Sequence, residues 1–385
     1  MKIIKLSEPL IDKKEISAIT KVLKSGWLTS GKLTQLFESN VSNFLKSKNV
    51  IATNSCTNGL YATLKALNFK PGDEVITSPF TFISTINTIH QLGLKIKFAD
   101  INLDNFNIDV EQLKKKVTKR TKCILITHYG GIPCDLNKIY KLSKKGIKIV
   151  EDAATALGAE FKNKKIGSFN KSITVFSLYA NKIITTAEGG LVSTNDQKLA
   201  NKIRTLISIG IDKNPWTRTA EKMSYKYDLK YPGYKFNFTD LQACIGIEQL
   251  KKIKKIILYR KKIRKIYDKN LSHLVDKSFI NIYKAQKDVK SAEYIYTILI
   301  KNTKFSRDKL INYLTHKKII TSVHYIPAIY LSYYKKIFKK EKLPNTKYVF
   351  KNIISLPFHN KLKEKDIKYI TKVISEYFIY ENKKK

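Results

Sequence analysis

Ile149-Val150-Glu151-Asp152-Ala153-Ala154 and, further along, Val175-Phe176-Ser177-Leu178-Tyr179-Ala180-Asn181-Lys182 each open on a short apolar run and close on residues that carry chemistry. An apolar run of that length, bounded by small and polar residues, reads as a strand buried on both faces. The same pattern recurs outward from these two, at Asn49–Thr53, Glu74–Ser78, Lys95–Asp100, Lys122–Thr127 and Gly190–Ser193. The two opening runs themselves extend over Ile147–Glu151 and Ser172–Ser177. Amphipathic segments separate the runs. Gly59–Leu67, for example, places Leu60, Leu64 and Leu67 at i, i+4 and i+7, one face of a helix. Strands alternating with helices predict an α/β fold with a mostly parallel sheet. A helical pattern from about Phe238 to Lys269 is long enough to leave that first unit. Beyond it, Tyr294–Ile300, Arg307–His316 and Lys365–Tyr377 predict further strands and helices. The expected organisation is a large domain over 1–250 and a smaller C-terminal α/β domain over 251–385.

A chain of 385 residues, 43% hydrophobic and 27% charged, has the size and composition of a soluble globular enzyme. The formal net charge of +42 is the unusual quantity. Charge of that size raises a nucleic-acid reading, since Lys and Arg that neutralise phosphates release counterions. The lysines are spread along the whole chain, however, and the densest run, Lys251 to Lys265, carries Ile253, Ile256, Ile257 and Ile263 at helical spacing. That run reads as an amphipathic helix with a solvated basic face, so no nucleic-acid partner is expected. A basic field would instead attract a small anionic substrate. The four cysteines form no CxxC pair, and the six histidines no HExxH or HxH pair, so no metal is expected. No apolar stretch is long enough for a signal peptide or a membrane span, and the chain reads as cytoplasmic.

Ligands of open α/β sheets gather at the carboxyl ends of the strands, and four such edges are suggestive here. Thr53-Asn54-Ser55-Cys56-Thr57-Asn58-Gly59 joins a strand to a helix expected to begin near Gly59. Free N–H groups at a helix start make an anion site, although the same residues would serve as an ordinary N-cap. Asp152, followed by two alanines that permit close approach, suits a carboxylate facing a cofactor, or another helix cap. Lys182 follows an apolar strand and precedes Gly189-Gly190, an enclosed setting in which a lysine can form a Schiff base. Phe82, in Pro79-Phe80-Thr81-Phe82, could stack on a flat ring or simply pack in the core. Taken together the four supply a Schiff-base lysine, an acid for a pyridine nitrogen, a phosphate cradle and a stacking ring, the parts a pyridoxal-phosphate (PLP) enzyme needs.

The sequence resembles the DegT/DnrJ/EryC1/StrS family of sugar aminotransferases, within the fold-type I PLP-dependent transferases, nearly end to end. The resemblance rests on Ser7-Glu8-Pro9, Ser25-Gly26-Trp27-Leu28-Thr29-Ser30-Gly31, Pro71-Gly72-Asp73-Glu74-Val75 and Thr81-Phe82-Ile83-Ser84-Thr85. It continues through Glu151-Asp152-Ala153-Ala154, Phe176-Ser177-Leu178-Tyr179-Ala180-Asn181-Lys182 and Glu188-Gly189-Gly190. It implies a large domain with a mostly parallel mixed sheet plus a smaller C-terminal domain. It further implies Lys182 as the Schiff-base lysine and proton shuttle, Asp152 on the pyridine nitrogen, and Phe82 over the ring. Cys56, Thr57 and Ser177 fall on phosphate positions, and Thr155 stands beside the cofactor where Gln or His is usual. Asn237, in Pro232-Gly233-Tyr234-Lys235-Phe236-Asn237-Phe238-Thr239-Asp240, matches an asparagine that reaches the phosphate of a neighbouring subunit, which implies a homodimer with sites at the interface.

Thr29, His324 and Tyr325 fall on substrate-side positions of the family. The Asn237 segment is similar to that of aminotransferases making UDP-4-amino-4-deoxy-L-arabinose. The implied activity moves an amino group from L-glutamate to a nucleotide-linked keto-sugar, at C4, for surface polysaccharide or glycan synthesis. Ile209 and Tyr294 stand where His is frequent in the family, and Asn181 where Thr is usual before the lysine. A PLP-dependent sugar dehydratase of the same family would carry His in place of Lys182. A non-enzymatic basic binding protein would need no cofactor at all.

Overall fold

The computed structural model describes residues 3–212, 216, 226–283 and 286–383. The apolar runs pair as strands: β1 (Asn49–Thr53), β2 (Glu74–Thr77), β3 (Lys95–Phe98), β4 (Thr121–Thr127) and β5 (Lys148–Asp152). A short hairpin, β6 (Glu160–Phe161) and β7 (Lys164–Lys165), precedes β8 (Ile173–Ser177) and β9 (Gly190–Thr194). Seven of these strands form one sheet in the order β1-β9-β8-β5-β4-β2-β3. The run from β8 to β3 is parallel, and β9 lies antiparallel to both β1 and β8. Most of these strands are buried on both faces, which is why they read as continuous apolar runs rather than alternating ones.

Most of these strands shift by a residue or two at an end from the sequence reading, and two of the shifts have a local reason. The third run stops at Phe98 because Asp100 turns its carboxylate to the helix Pro344–Asn352, accepting from the N–H groups of Asn345 and Thr346 at 2.9 Å each. The fifth run extends to Asp152, whose backbone is still paired with Thr127 and Val175.

Downstream, β10 (Ile280–Ile282), β11 (Val289–Lys290), β12 (Tyr296–Ile300) and β13 (Ile353–Leu356) follow. β10-β12-β13 make a separate antiparallel sheet, while β11 returns to pair with β6. The helix Asp240–Asp276 connects the two sheets. Thr239 caps it, and the reciprocal bond from Gln242 completes a capping box. Its buried residues divide in two. Ala243, Ile247, Ile253 and Ile256 enter the core under the seven-stranded sheet, while Ile263, Tyr267, Leu271 and Leu274 enter the core of the three-stranded one. Each buried aliphatic contributes on the order of 1.5–3 kcal/mol through area removed from water.

Lys251, Lys254, Lys255, Lys262 and Lys265 stay exposed on the other face. Arg260 departs from that basic face: it is buried and donates to the carbonyls of Glu293 and Tyr294. Among the described residues no helix is long and apolar enough to cross a membrane, and no cluster of three or more His, Cys, Asp or Glu is arranged to hold a metal.

Candidate active site

Because β1, β2, β4, β5 and β8 end on one edge of the sheet, and the antiparallel β9 begins there, the residues that follow them converge. They enclose a cavity of about 610 Å³. β1 delivers Ser55, whose hydroxyl accepts from the N–H of Asn58 at 3.1 Å and so starts the helix Cys56–Ala66. The helix was expected near Gly59; it begins earlier because Ser55 takes the cap. Cys56 and Thr57 therefore occupy the first turn, where backbone N–H groups have no intrahelical acceptor. Gly190 lets β9 approach this turn, since a Cβ there would lie 2.6 Å from the Cys56 nitrogen.

β2 leads to Thr81 and Phe82. Phe80 packs in the core against Tyr129, whereas Phe82 is 60% exposed and lines the cavity. β5 ends on Asp152, which is 4% exposed and also lines the cavity. Its Oδ2 accepts from Thr85 Oγ1 at 2.5 Å and its Oδ1 from the Ala154 N–H at 3.1 Å. Burial pushes this carboxyl above the usual range, against those two hydrogen bonds and the positive field of Lys182. Beside it, Thr155 donates its hydroxyl proton to the His128 carbonyl at 2.9 Å. β8 supplies Ser177, and the loop after it supplies half-buried Lys182, whose Nζ donates to Tyr294 OH at 3.3 Å.

One residue before Asp152, strand alternation sends Glu151 to the opposite face, into a closed polar cluster. The N–H of Cys134 donates to His128 Nδ1 at 3.0 Å, so the imidazole carries its proton on Nε2 and gives it to Glu151 Oε2 at 3.0 Å. Tyr140 OH donates to the other oxygen at 2.5 Å. Burial alone would push the Glu151 carboxyl up, but these donated bonds, His128 foremost, hold it below its ordinary value.

The far wall comes from the C-terminal half: Tyr294 and the stretch Ser322–Tyr325. The Tyr325 ring lies 6.0 Å from that of Phe82. His324 Nδ1 is 2.8 Å from Ser355 Oγ, and burial, then the charge of Lys182, hold its pKa near 4.

Nine of the eleven residues singled out in the sequence thus line one cavity: Cys56, Thr57, Phe82, Asp152, Thr155, Ser177, Lys182, His324 and Tyr325. Asn237 and Thr29 do not. Asn237 donates to Ser30 Oγ at 2.9 Å and lines a separate cavity of about 180 Å³. Thr29 is exposed, and its carbonyl accepts from the Asp240 N–H. Four further contributors lie outside the sequence assignment. Thr85 lies one helical turn beyond Phe82, and that spacing was the available signal. Thr81 and Thr127 continue its hydroxyl chain at 3.2 and 3.0 Å, and Tyr129 OH donates to the His324 carbonyl at 2.7 Å.

The model of the DegT/DnrJ/EryC1/StrS aminotransferase family matches residues 9–375. The spore coat polysaccharide biosynthesis protein SpsC of Bacillus subtilis is 38% identical over 376 residues, 96% of each chain. Helicobacter pylori PseC, an aminotransferase involved in the biosynthesis of pseudoaminic acid, superposes with a TM-score of 0.91 at 30% identity, over 98% of this chain and 100% of its own. Spr1654 of Streptococcus pneumoniae, solved in PMP and PLP forms, gives 0.88 at 29% identity in the PMP form, over 96% of this chain and 98% of its own.

Proposed function

Because the chain belongs to the DegT/DnrJ/EryC1/StrS aminotransferase family, we propose that it transfers an amino group from L-glutamate to C4 of a nucleotide-linked keto-sugar, using PLP, in surface polysaccharide or glycan synthesis. The observation that carries this reading is Asp152 and Lys182 facing one cavity beside a helix start. A buried carboxylate raised by desolvation is relieved by a partner that brings its own proton, as a pyridinium nitrogen does. The donor set therefore suits PLP, which when bound supplies the carbonyl that carries the amino group and the ring that takes up electron density.

The chain's own residues do the rest. Lys182 would be the residue that anchors the cofactor, and its amine, facing the cavity, would hold and move the proton at the substrate carbon. Asp152, fixed by Thr85 and Ala154, would hold a proton on the ring nitrogen. The first-turn N–H groups of Cys56 and Thr57, with the Ser177 hydroxyl, hold the phosphate. Phe82, lining the cavity, would pack against the cofactor ring, and Thr155, its own proton committed to His128, could only accept from it. His324 and Tyr325 bound the sugar side, and Thr29 and Asn237, away from this cavity, serve the cavity of a second copy in a homodimer. Donor and acceptor occupy one site in turn, which gives ping-pong kinetics. The protein's excess positive charge draws in the anionic nucleotide.

The first experiment is an absorption spectrum with added PLP. A visible band that needs Lys182 and is bleached by L-glutamate supports the reading, and a protein that develops no such band sinks it. Mixing Lys182→Ala with Asn237→Ala protein tests the shared site: activity regained on mixing supports the dimer, and none regained counts against it.

A further inference from the structure

Two positions that set this chain apart in sequence, Asn181 and Tyr294, touch each other and Lys182. Tyr294 is 5% exposed, and its hydroxyl donates to Asn181 Oδ1 at 3.2 Å. The same hydroxyl oxygen accepts from Lys182 Nζ at 3.3 Å, and Nζ lies 4.7 Å from the tyrosine ring centroid. The tyrosine is fixed from behind. Buried Arg260 donates to its carbonyl at 3.0 Å and to that of Glu293 at 3.3 Å. Gly131, at φ +86°, lets the turn after β4 come against it, since a Cβ there would lie 3.3 Å from the tyrosine Cβ and 2.7 Å from the Thr155 carbonyl oxygen.

A phenol has one proton. With that proton committed to Asn181, the oxygen offers Lys182 only lone pairs, so the amine must meet it as a donor. We propose that Asn181 and Tyr294 form one positioning pair for Lys182, pinning one N–H of the ε-amine so that, in the neutral form that takes up a proton, its lone pair is directed into the cavity. This deepens the reading of Lys182 as the residue that moves the proton, and rests on it. Without Asn181 the phenol is free to turn its proton toward the amine and mask the lone pair. Without the hydroxyl the amine is no longer held. Either loss disables the same arrangement, so the two must be non-additive.

The test is a double-mutant cycle on the holoenzyme, read in the single-turnover reaction with L-glutamate. Tyr294→Phe should slow it about tenfold and Asn181→Ala about fivefold, each with the glutamate KM within about twofold of wild type. The double variant should be no slower than about tenfold. Multiplication of the two losses, or rates within about twofold of wild type, overturns the pair. A second readout needs neither cofactor nor turnover. Acetic anhydride labelling of the cofactor-free protein, read at Lys182 by peptide mass spectrometry, should slow at least about threefold in Asn181→Ala, where the phenol proton can mask the lone pair, and recover when Tyr294→Phe is added. Unaltered labelling there counts against the contact. If wild type fails to react with L-glutamate while Lys182 labelling still responds to Tyr294, the aminotransferase reading falls and the positioning contact stands.

Discussion

Along the floor of the cavity, Cys56, Thr57, Asp152 and Ser177 each sit at or just past a strand end, whereas the facing wall takes Tyr294 and Ser322–Tyr325 from segments flanking a different sheet. The floor inherits its geometry from β-register: Asp152 cannot shift without breaking its pairing to Thr127 and Val175. The wall is held partly by side chains, Arg260 on the Glu293 and Tyr294 carbonyls and Tyr129 on the His324 carbonyl, beside a single backbone bridge from Ser322 to Ser355. A sheet edge offers rigidity, which fixed chemistry needs. A wall hung partly on side chains can change with the substrate while leaving the floor alone.

That contrast is open to direct attack. Lys182→Ala on the floor should lower turnover by at least about 10⁴-fold, measured as single-turnover amine transfer. Its melting temperature should stay near that of wild type, because the side chain is only half-buried. Asp152→Asn should cost about 10³-fold in the same assay. Removing a buried, raised carboxylate should leave denaturant stability unchanged or higher at neutral pH, and a large stability loss would place Asp152 among structural groups instead. On the wall, His324→Ala should lower kcat/KM for the keto-sugar about tenfold while the glutamate half-reaction stays within about threefold. Equal losses in both halves would erase the distinction between floor and wall.

A last test uses acid. His324 and His359 are both held near 4 rather than 6.5, in each case chiefly by burial, so the folded chain refuses protons that the unfolded chain accepts. The contribution is whole above pH 6.5 and is lost as pH falls toward 4, by up to about 1.4 kcal/mol per pH unit for each histidine. Urea midpoints across that window, compared with His324→Gln, measure the share belonging to the wall.

The floor was the legible part. A strand end followed by small residues marks Asp152 and Lys182 because the signal is local, and the β-strands appear as apolar runs for the same reason. Glu151 and Asp152 are a harder case, being adjacent acids whose opposite fates follow from which face of β5 each takes. Thr85 carries little local mark of its role, because its partner lies 67 residues away. Tyr294 stood out only as a departure from the family, since a buried aromatic before a strand otherwise reads as core. Asn237 was noticed, but this chain alone places it on another cavity.

The helix Asp240–Asp276 spans about 55 Å at 1.5 Å per residue and feeds side chains into both hydrophobic cores. It works as a splint, and it sets how the protein can be dissected. A fragment ending at residue 250 would lose Ile253 and Ile256, which belong to the first core, and with them the whole facing wall. A fragment that kept the whole helix would instead present Ile263, Tyr267, Leu271 and Leu274 to water. Neither half can be produced in isolation with a finished surface, so complementation with two separately expressed pieces should yield aggregates unless both are made together.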